Sequence, residues 1–137
     1  MKYGSGEICF RKFFVVLFMI KTKRAYDHYE ASDGLRFLID RLWPRGIKKD
    51  ELKVESWLRD IAPSNELRKW FSHDRSKWEE FKKRYLQEIK DKPDYRKLID
   101  IAKKKDITLV YSSKEEVYNN ATALKEFIEN ELKESSV

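Results

Sequence analysis

Two hydrophobic periods alternate along the second half of this chain, and that alternation limits its fold more than any other feature. Trp78, Phe81, Tyr85 and Ile89 recur at helical spacing, and Tyr95, Leu98, Ile99 and Ala102 mark a further helix. ITLVY at 107–111 then reads as a short buried strand, and Ala121, Leu124, Phe127 and Ile128 form a last helical face. Upstream, residues 15–25 and 35–42 carry the apolar, strand-favouring residues of two more strands. The second is so nearly continuous that it predicts burial on both faces. Residues 48–61 mix the periods, because Leu52, Val54, Ser56 and Leu58 alternate while Trp57 and Ile61 sit at helical spacing. They are read as a short helical turn and then a third strand. Strands interleaved with helices predict the α/β class: a single small layered domain with a short, mostly parallel sheet flanked by helices.

Local signals divide these elements. Ser32-Asp33-Gly34 is a turn, and Pro44 and Gly46 close the second strand. Ser64 follows Ala62-Pro63 and caps a helix, NELRKWF, with Glu66 in its first turn. That helix stops at Ser72-His73-Asp74. Another begins near Ser76, where Ser76 and Glu79 fit a capping box, and Pro93 breaks it.

A length of 137 residues, 41% of them hydrophobic, is enough for one core without covalent staples. The charged fraction is 39% with both signs mixed, and there is one Gln and one Cys, a composition that suggests a thermophile's ion-paired surface. Cys9 is the only cysteine, so no internal disulfide forms and a reducing cytoplasm fits. Two histidines and one cysteine exclude a His-rich or Cys-rich metal site. No Gly-x-Ser-x-Gly occurs, and four glycines, two of them in the first six residues, cannot build a phosphate loop. The apolar run 13–20 is too short to span a membrane, which needs about 20 such residues, so no membrane partner is expected. Its basic-then-apolar order resembles a signal peptide, but no small-residue cleavage site follows. Residues 1–18 are read as an N-terminal extension, either part of the first strand or the product of a start upstream of Met19. Residues 19–137 form the domain.

Several stretches, MIKTKRAYD, LIDRLWPRG, WLRDIAPSNELRKWFSHD, KWEEFKKRYLQEI and ITLVYSSKEEVYNNA, resemble in order and spacing the YeaO-like family, domain of unknown function 488. The resemblance covers Met19 to about Leu132, essentially everything except the first 18 residues. It implies a small intracellular α/β protein, with no biochemical activity to carry over. The family's motif residues map to Lys23, Arg24, Asp40, Arg41, Trp43, Arg45, Ser64, Arg68, Trp70, His73, Asp74, Lys114 and Asn119. Where relatives read Asn-His-Ala, this chain has Asn119-Asn120-Ala121, so a mechanism needing that His does not carry over.

The run FLIDRLWPRG at 37–46 places Asp40, Arg41, Trp43 and Arg45 where a parallel strand ends, and ligands bind outside such ends. Ser112, Ser113 and Lys114 lie at the end of the last strand, with Asn119 at the start of a helix. If the two strands are neighbours, these residues line one crevice for a phosphate or carboxylate. Arg41, Arg45, Trp43, Ser112, Lys114, Asn119 and Arg68 are the candidate ligand contacts. Asp40, His73 and Asp74 are the candidates for moving a proton. Against this, the Asp40-Arg41 pair can serve ordinary charge pairing, and Asp74 a helix cap. No metal ligands are assigned, and no cofactor can be read. The main reading is a small anionic ligand, with an enzyme acting on a phosphorylated small molecule as one form of it. The alternative is a nucleic-acid partner tracked by the same arginines and by Lys48-Lys49, Lys82-Lys83-Arg84 and Lys103-Lys104-Lys105.

Overall fold

The computed structural model describes residues 18–135. Four strands, β1 (Ile20–Arg24), β2 (Leu35–Leu38), β3 (Ser56–Trp57) and β4 (Ile107–Tyr111), form one sheet in the order β1-β4-β2-β3. Every pairing is parallel. β4 lies between β1 and β2, which is why all five of its residues are buried. Five helices complete the fold: α1 (Lys49–Leu52), α2 (Asn65–Phe71), α3 (Trp78–Ile89), α4 (Pro93–Ala102) and α5 (Asn120–Ser135). Among the described residues no helix is long and apolar enough to cross a membrane.

The two faces of the sheet are covered differently. Successive strand residues point to opposite sides, so Ile20, Phe37, Ile107, Leu109 and Tyr111 share one face. Against it pack Phe71 of α2, Phe81, Tyr85 and Ile89 of α3, Leu98 and Ile99 of α4, and Leu124 and Ile128 of α5. Each of these large side chains contributes about 1.5–3 kcal/mol by leaving water. Leu38 and Val110 face the other way and meet Ala25, Leu52, Trp43, Ile47, Val54 and Trp57. All the longer helices therefore cover one face. A segment with a single helical turn covers the other.

That thinner face also holds a buried ion network. Asp33 and Arg36 are 1% and 2% exposed. Arg36 Nη1 donates to Asp33 Oδ2 at 2.7 Å, and its Nε and Nη2 donate to the Leu52 carbonyl at 3.2 and 2.9 Å. Lys23 Nζ reaches both Asp33 oxygens at 3.2 Å and Glu30 at 2.8 Å. Burial opposes the charge on Asp33, but bonds from the Glu30 amide, Lys23 and Arg36 outweigh it and hold the carboxyl below its ordinary range.

Several expected boundaries hold. NELRKWF is α2, and Ser64 Oγ accepts the Leu67 amide at 3.1 Å as its cap. The same hydroxyl donates to Glu88 at 2.6 Å, which ties α2 to α3. Residues 48–61 contain a helical turn followed by the two-residue β3. Three expectations change. β1 spans Ile20–Arg24 among the described residues, and residues 15–17 of the expected strand lie outside them. β2 ends at Leu38 instead of running to residue 42, and Leu42 is 69% exposed. After the Ile39 amide bonds to Val110, the next link is from the Ser112 amide, just past β4, to the Asp40 side chain, so the chain turns away. Ser76 forms no capping box with Glu79. Asp74 accepts both the Ser76 amide and hydroxyl, at 3.0 and 2.7 Å, and caps a 3₁₀ turn (Arg75–Lys77) that precedes α3.

Candidate functional site

Because β2 and β4 are neighbours, their carboxyl ends meet, and the amino end of α5 joins them. Asp40 links the three. Its Oδ2 accepts the Ser112 amide at 2.9 Å and the Ser112 hydroxyl at 2.6 Å, and its Oδ1 accepts Asn120 Nδ2 at 3.1 Å. Its backbone carbonyl accepts Trp57 Nε1 at 2.7 Å. The carboxylate thus serves as a clasp between two strand ends and a helix, with its lone pairs largely committed.

The loop after Asp40 is held just as firmly. Trp43 Nε1 donates to the Ile47 carbonyl at 2.6 Å, and its ring meets Trp57 edge-on at 5.4 Å. Pro44 is buried, and the Ile47 amide returns to its carbonyl at 3.5 Å across Gly46, whose φ is +82°. The Tyr26 hydroxyl donates to the Arg45 carbonyl at 3.0 Å. The Arg45 backbone is therefore fixed while its side chain is exposed.

Above this clasp opens a cleft of about 730 Å³. Arg41, Trp43 and Arg45 line it from the loop after β2, and Arg68, Lys69 and His73 contribute from α2 and its end. Ser112, Asn119 and Asn120 also line it. Asn119 spends its amide locally: Oδ1 accepts the Thr122 amide at 2.9 Å, capping α5, and Nδ2 donates to the Glu115 carbonyl at 2.8 Å. Ser72 and His73 are both left-handed, with φ of +44° and +58°, an unfavourable conformation for two successive residues with side chains.

Two of the predicted residues lie elsewhere. Lys114 is exposed and Asp74 is the cap of the 3₁₀ turn, and neither lines the cleft. The bonds from the Ser76 hydroxyl and amide lower the Asp74 carboxyl below its ordinary value. Sequence reasoning passed over Lys69, which follows Arg68 on α2, and Tyr118, which flanks Asn119. It singled out Asn120 only as a departure from the family pattern.

The arginines sort into two groups. Arg24 donates to the carbonyls of Ser112 and Ser113, and Arg36 to Asp33 and Leu52. Arg59 lies over Trp57, and Arg75, Arg84 and Arg96 pair with Glu115, Glu80 and Glu131. The guanidiniums of Arg41 and Arg45 have no hydrogen-bond or ion-pair partner among the described residues. Arg68 has only Asn65 Oδ1 at 3.4 Å. All three line the cleft, whose single carboxylate is the clasped Asp40. Among the described residues no group of three or more His, Cys, Asp or Glu is arranged to hold a metal ion.

A family model described as the inactive DUF488-N3 subclade matches residues 19–136. The chain belongs to the DUF488 family. Within it, the uncharacterized protein YeaO of Escherichia coli (strain K12) is 44% identical over 110 residues, covering 80% of this chain and 96% of that protein. The uncharacterized protein Rv3073c of Mycobacterium tuberculosis (strain H37Rv) is 33% identical over 109 residues, covering 80% of this chain and 92% of its own. The uncharacterized protein Mb3100c of Mycobacterium bovis gives the same figures, 33% over 109 residues. No solved structure matches the chain.

Proposed function

We propose that the cleft at the carboxyl ends of β2 and β4 binds the phosphate or carboxylate group of a small molecule, and that the protein holds this ligand without turning it over. The observation that carries the reading is the sorting of the arginines: among the described residues those without a carboxylate, backbone-carbonyl or ring partner, Arg41, Arg45 and Arg68, all line this cleft. A guanidinium left unpaired at a concave surface is ready to form charge-assisted bonds with an anion. Binding without catalysis is supported by Asp40, whose oxygens are taken up by Ser112 and Asn120, and by the description of the matching subclade as inactive. An enzyme acting on a phosphorylated small molecule has less support for the same reasons. We place this function in a reducing cytoplasm, on the strength of the single cysteine.

A nucleic-acid module, the alternative reading, has less support too. Backbone tracking needs free surface cations, and three of the eight named for it are engaged: Lys82 pairs with Glu79 and Glu126, Arg84 with Glu80, and Lys103 with Asp100. The Trp70 ring, an aromatic face on which a base could stack, already has Arg84 at 4.2 Å and Lys77 at 5.0 Å from its centre. Calorimetric titration with inorganic phosphate, acetate and a short oligonucleotide, at low and high salt, separates these readings. Saturable phosphate or acetate binding is expected, and Arg45→Ala should weaken it by roughly 10–100-fold, the loss of one charge-assisted contact. Heat from the oligonucleotide alone, abolished by salt, would replace the reading with the nucleic-acid one.

A further inference from the structure

Resting on that reading, we propose that His73 is the proton-coupled residue of the anion site: its protonated imidazole joins the cleft's cations, so an anion is captured together with a proton. The observation that points to it is its backbone. Ser72, at φ +44°, ends α2 and donates its amide to the Arg68 carbonyl at 3.0 Å. His73, at φ +58°, then turns the chain so that the Asp74 amide returns to the Phe71 carbonyl at 2.9 Å. Glycine at position 73 would make the same turn without strain. A side chain held there is strained, and strained positions gather at ligand sites. This side chain serves no contact of the fold. It is exposed, lines the cleft, and makes no hydrogen bond or ion pair among the described residues.

The charges around it agree with this. Arg68 and Lys69 line the cleft from α2, and Arg41 and Arg45 from the loop after β2; Tyr26 and Tyr118 are its other titratable side chains. The nearby carboxylates are engaged. Asp40 accepts Ser112 and Asn120, and Asp74 accepts Ser76. Glu115, outside the cleft lining, accepts the Val117 and Tyr118 amides at 2.9 and 3.2 Å and has Arg75 at 3.7 Å. Those bonds, with the charges of Arg75 and His73, hold its carboxyl below its ordinary range. With these oxygens engaged, a bound anion is the counter-charge that remains for a protonated His73. An imidazole is the side chain whose charge changes between about pH 5 and 8. Its coupling to an anion acts over roughly a Debye length, about 8 Å in physiological salt, and needs no direct contact. By linkage, the factor that protonation adds to anion affinity is the factor that the anion adds to proton affinity.

The test uses sulfate, which stays a dianion across this range, whereas phosphate itself titrates. In calorimetry on the full chain at constant ionic strength, sulfate is expected to bind roughly three- to tenfold more tightly at about pH 5.5 than at about pH 8. The gain should vanish in His73→Asn, because asparagine tolerates positive φ and carries no charge. An unchanged thermal midpoint checks that the variant folds. Proton NMR reads the wild type directly. The chain has two histidines, and His28, exposed and outside the cleft lining, is the internal control. Sulfate should raise the titration midpoint of His73 by about 0.5–1 pH unit and leave that of His28 in place. Sulfate bound equally tightly at both pH values, or two histidines moving together, would overturn the coupling while leaving the anion site standing. No sulfate binding at either pH would remove the anion site and this inference with it.

Discussion

At the end of β2 the Asp40 carboxylate accepts the Ser112 amide and hydroxyl and the Asn120 side chain, within 2.6–3.1 Å. Removing it would strand a half-buried amide and release two strand ends and a helix. Asp40→Ala is therefore expected to lower stability by about 2–4 kcal/mol, read as a loss of midpoint in urea unfolding. A thermal midpoint equal to wild type would show that the clasp contributes nothing to folding. Tyr95 presents the opposite case. Its hydroxyl is buried with no hydrogen-bond partner among the described residues, and burial pushes its ionisation well above the ordinary tyrosine value. Tyr95→Phe removes an unsatisfied polar atom and should leave stability unchanged or raise it by about 1 kcal/mol in the same assay. At this scale the sequence was informative about residue type and silent about partner. It placed Asp40, Arg41 and Arg45 at a strand end, but the groups that occupy Asp40 lie 72 and 80 residues away along the chain.

Among the elements, those with a long hydrophobic period were legible and those built by tertiary contact were not. α3 and α4 bury the residues that recur at helical spacing, Phe81, Tyr85 and Ile89, then Tyr95, Leu98, Ile99 and Ala102. β3, with two residues, carries no period of its own and exists because β2 offers it an edge. The overlong reading of β2 failed for a related reason: Leu42 is apolar, but the Asp40 side chain takes the Ser112 amide, the next donor past the end of β4. The turn into β2 depends on one glycine. Gly34 has a φ of +67°, and a Cβ there would overlap the Asp106 carbonyl, which also accepts the Leu35 amide at 3.0 Å. Gly34→Ala combines backbone strain with a clash against main chain, and a loss of at least about 2 kcal/mol is expected in chemical denaturation. The equivalent change at Gly46, which has open space around it, should be milder.

For the molecule as a whole, the buried network on the thinner face contributes to its response to acid. Asp33 is held below its ordinary value when folded, so the unfolded chain takes up the proton more readily. The stabilisation is complete above the unfolded value of about 3.9 and is lost as pH falls through the lower folded value. Asp33→Asn would leave Arg36 buried without its counter-charge, a loss of about 3–5 kcal/mol at neutral pH. It should also flatten the acid limb of stability against pH, which urea unfolding at several pH values would read. An acid limb as steep as wild type would show that other carboxylates carry it. The order β1-β4-β2-β3 has one more effect, which concerns synthesis. β4, one of the two inner strands, is the last of the four to be made, and among the described residues β1 pairs with it alone. While the ribosome is still working towards Ile107, β1 lacks the strand it pairs with, and the backbone donors and acceptors that β4 will take are open to other chains. The Lys21 and Lys23 side chains give that waiting edge a charge that keeps it from being adopted by a neighbour.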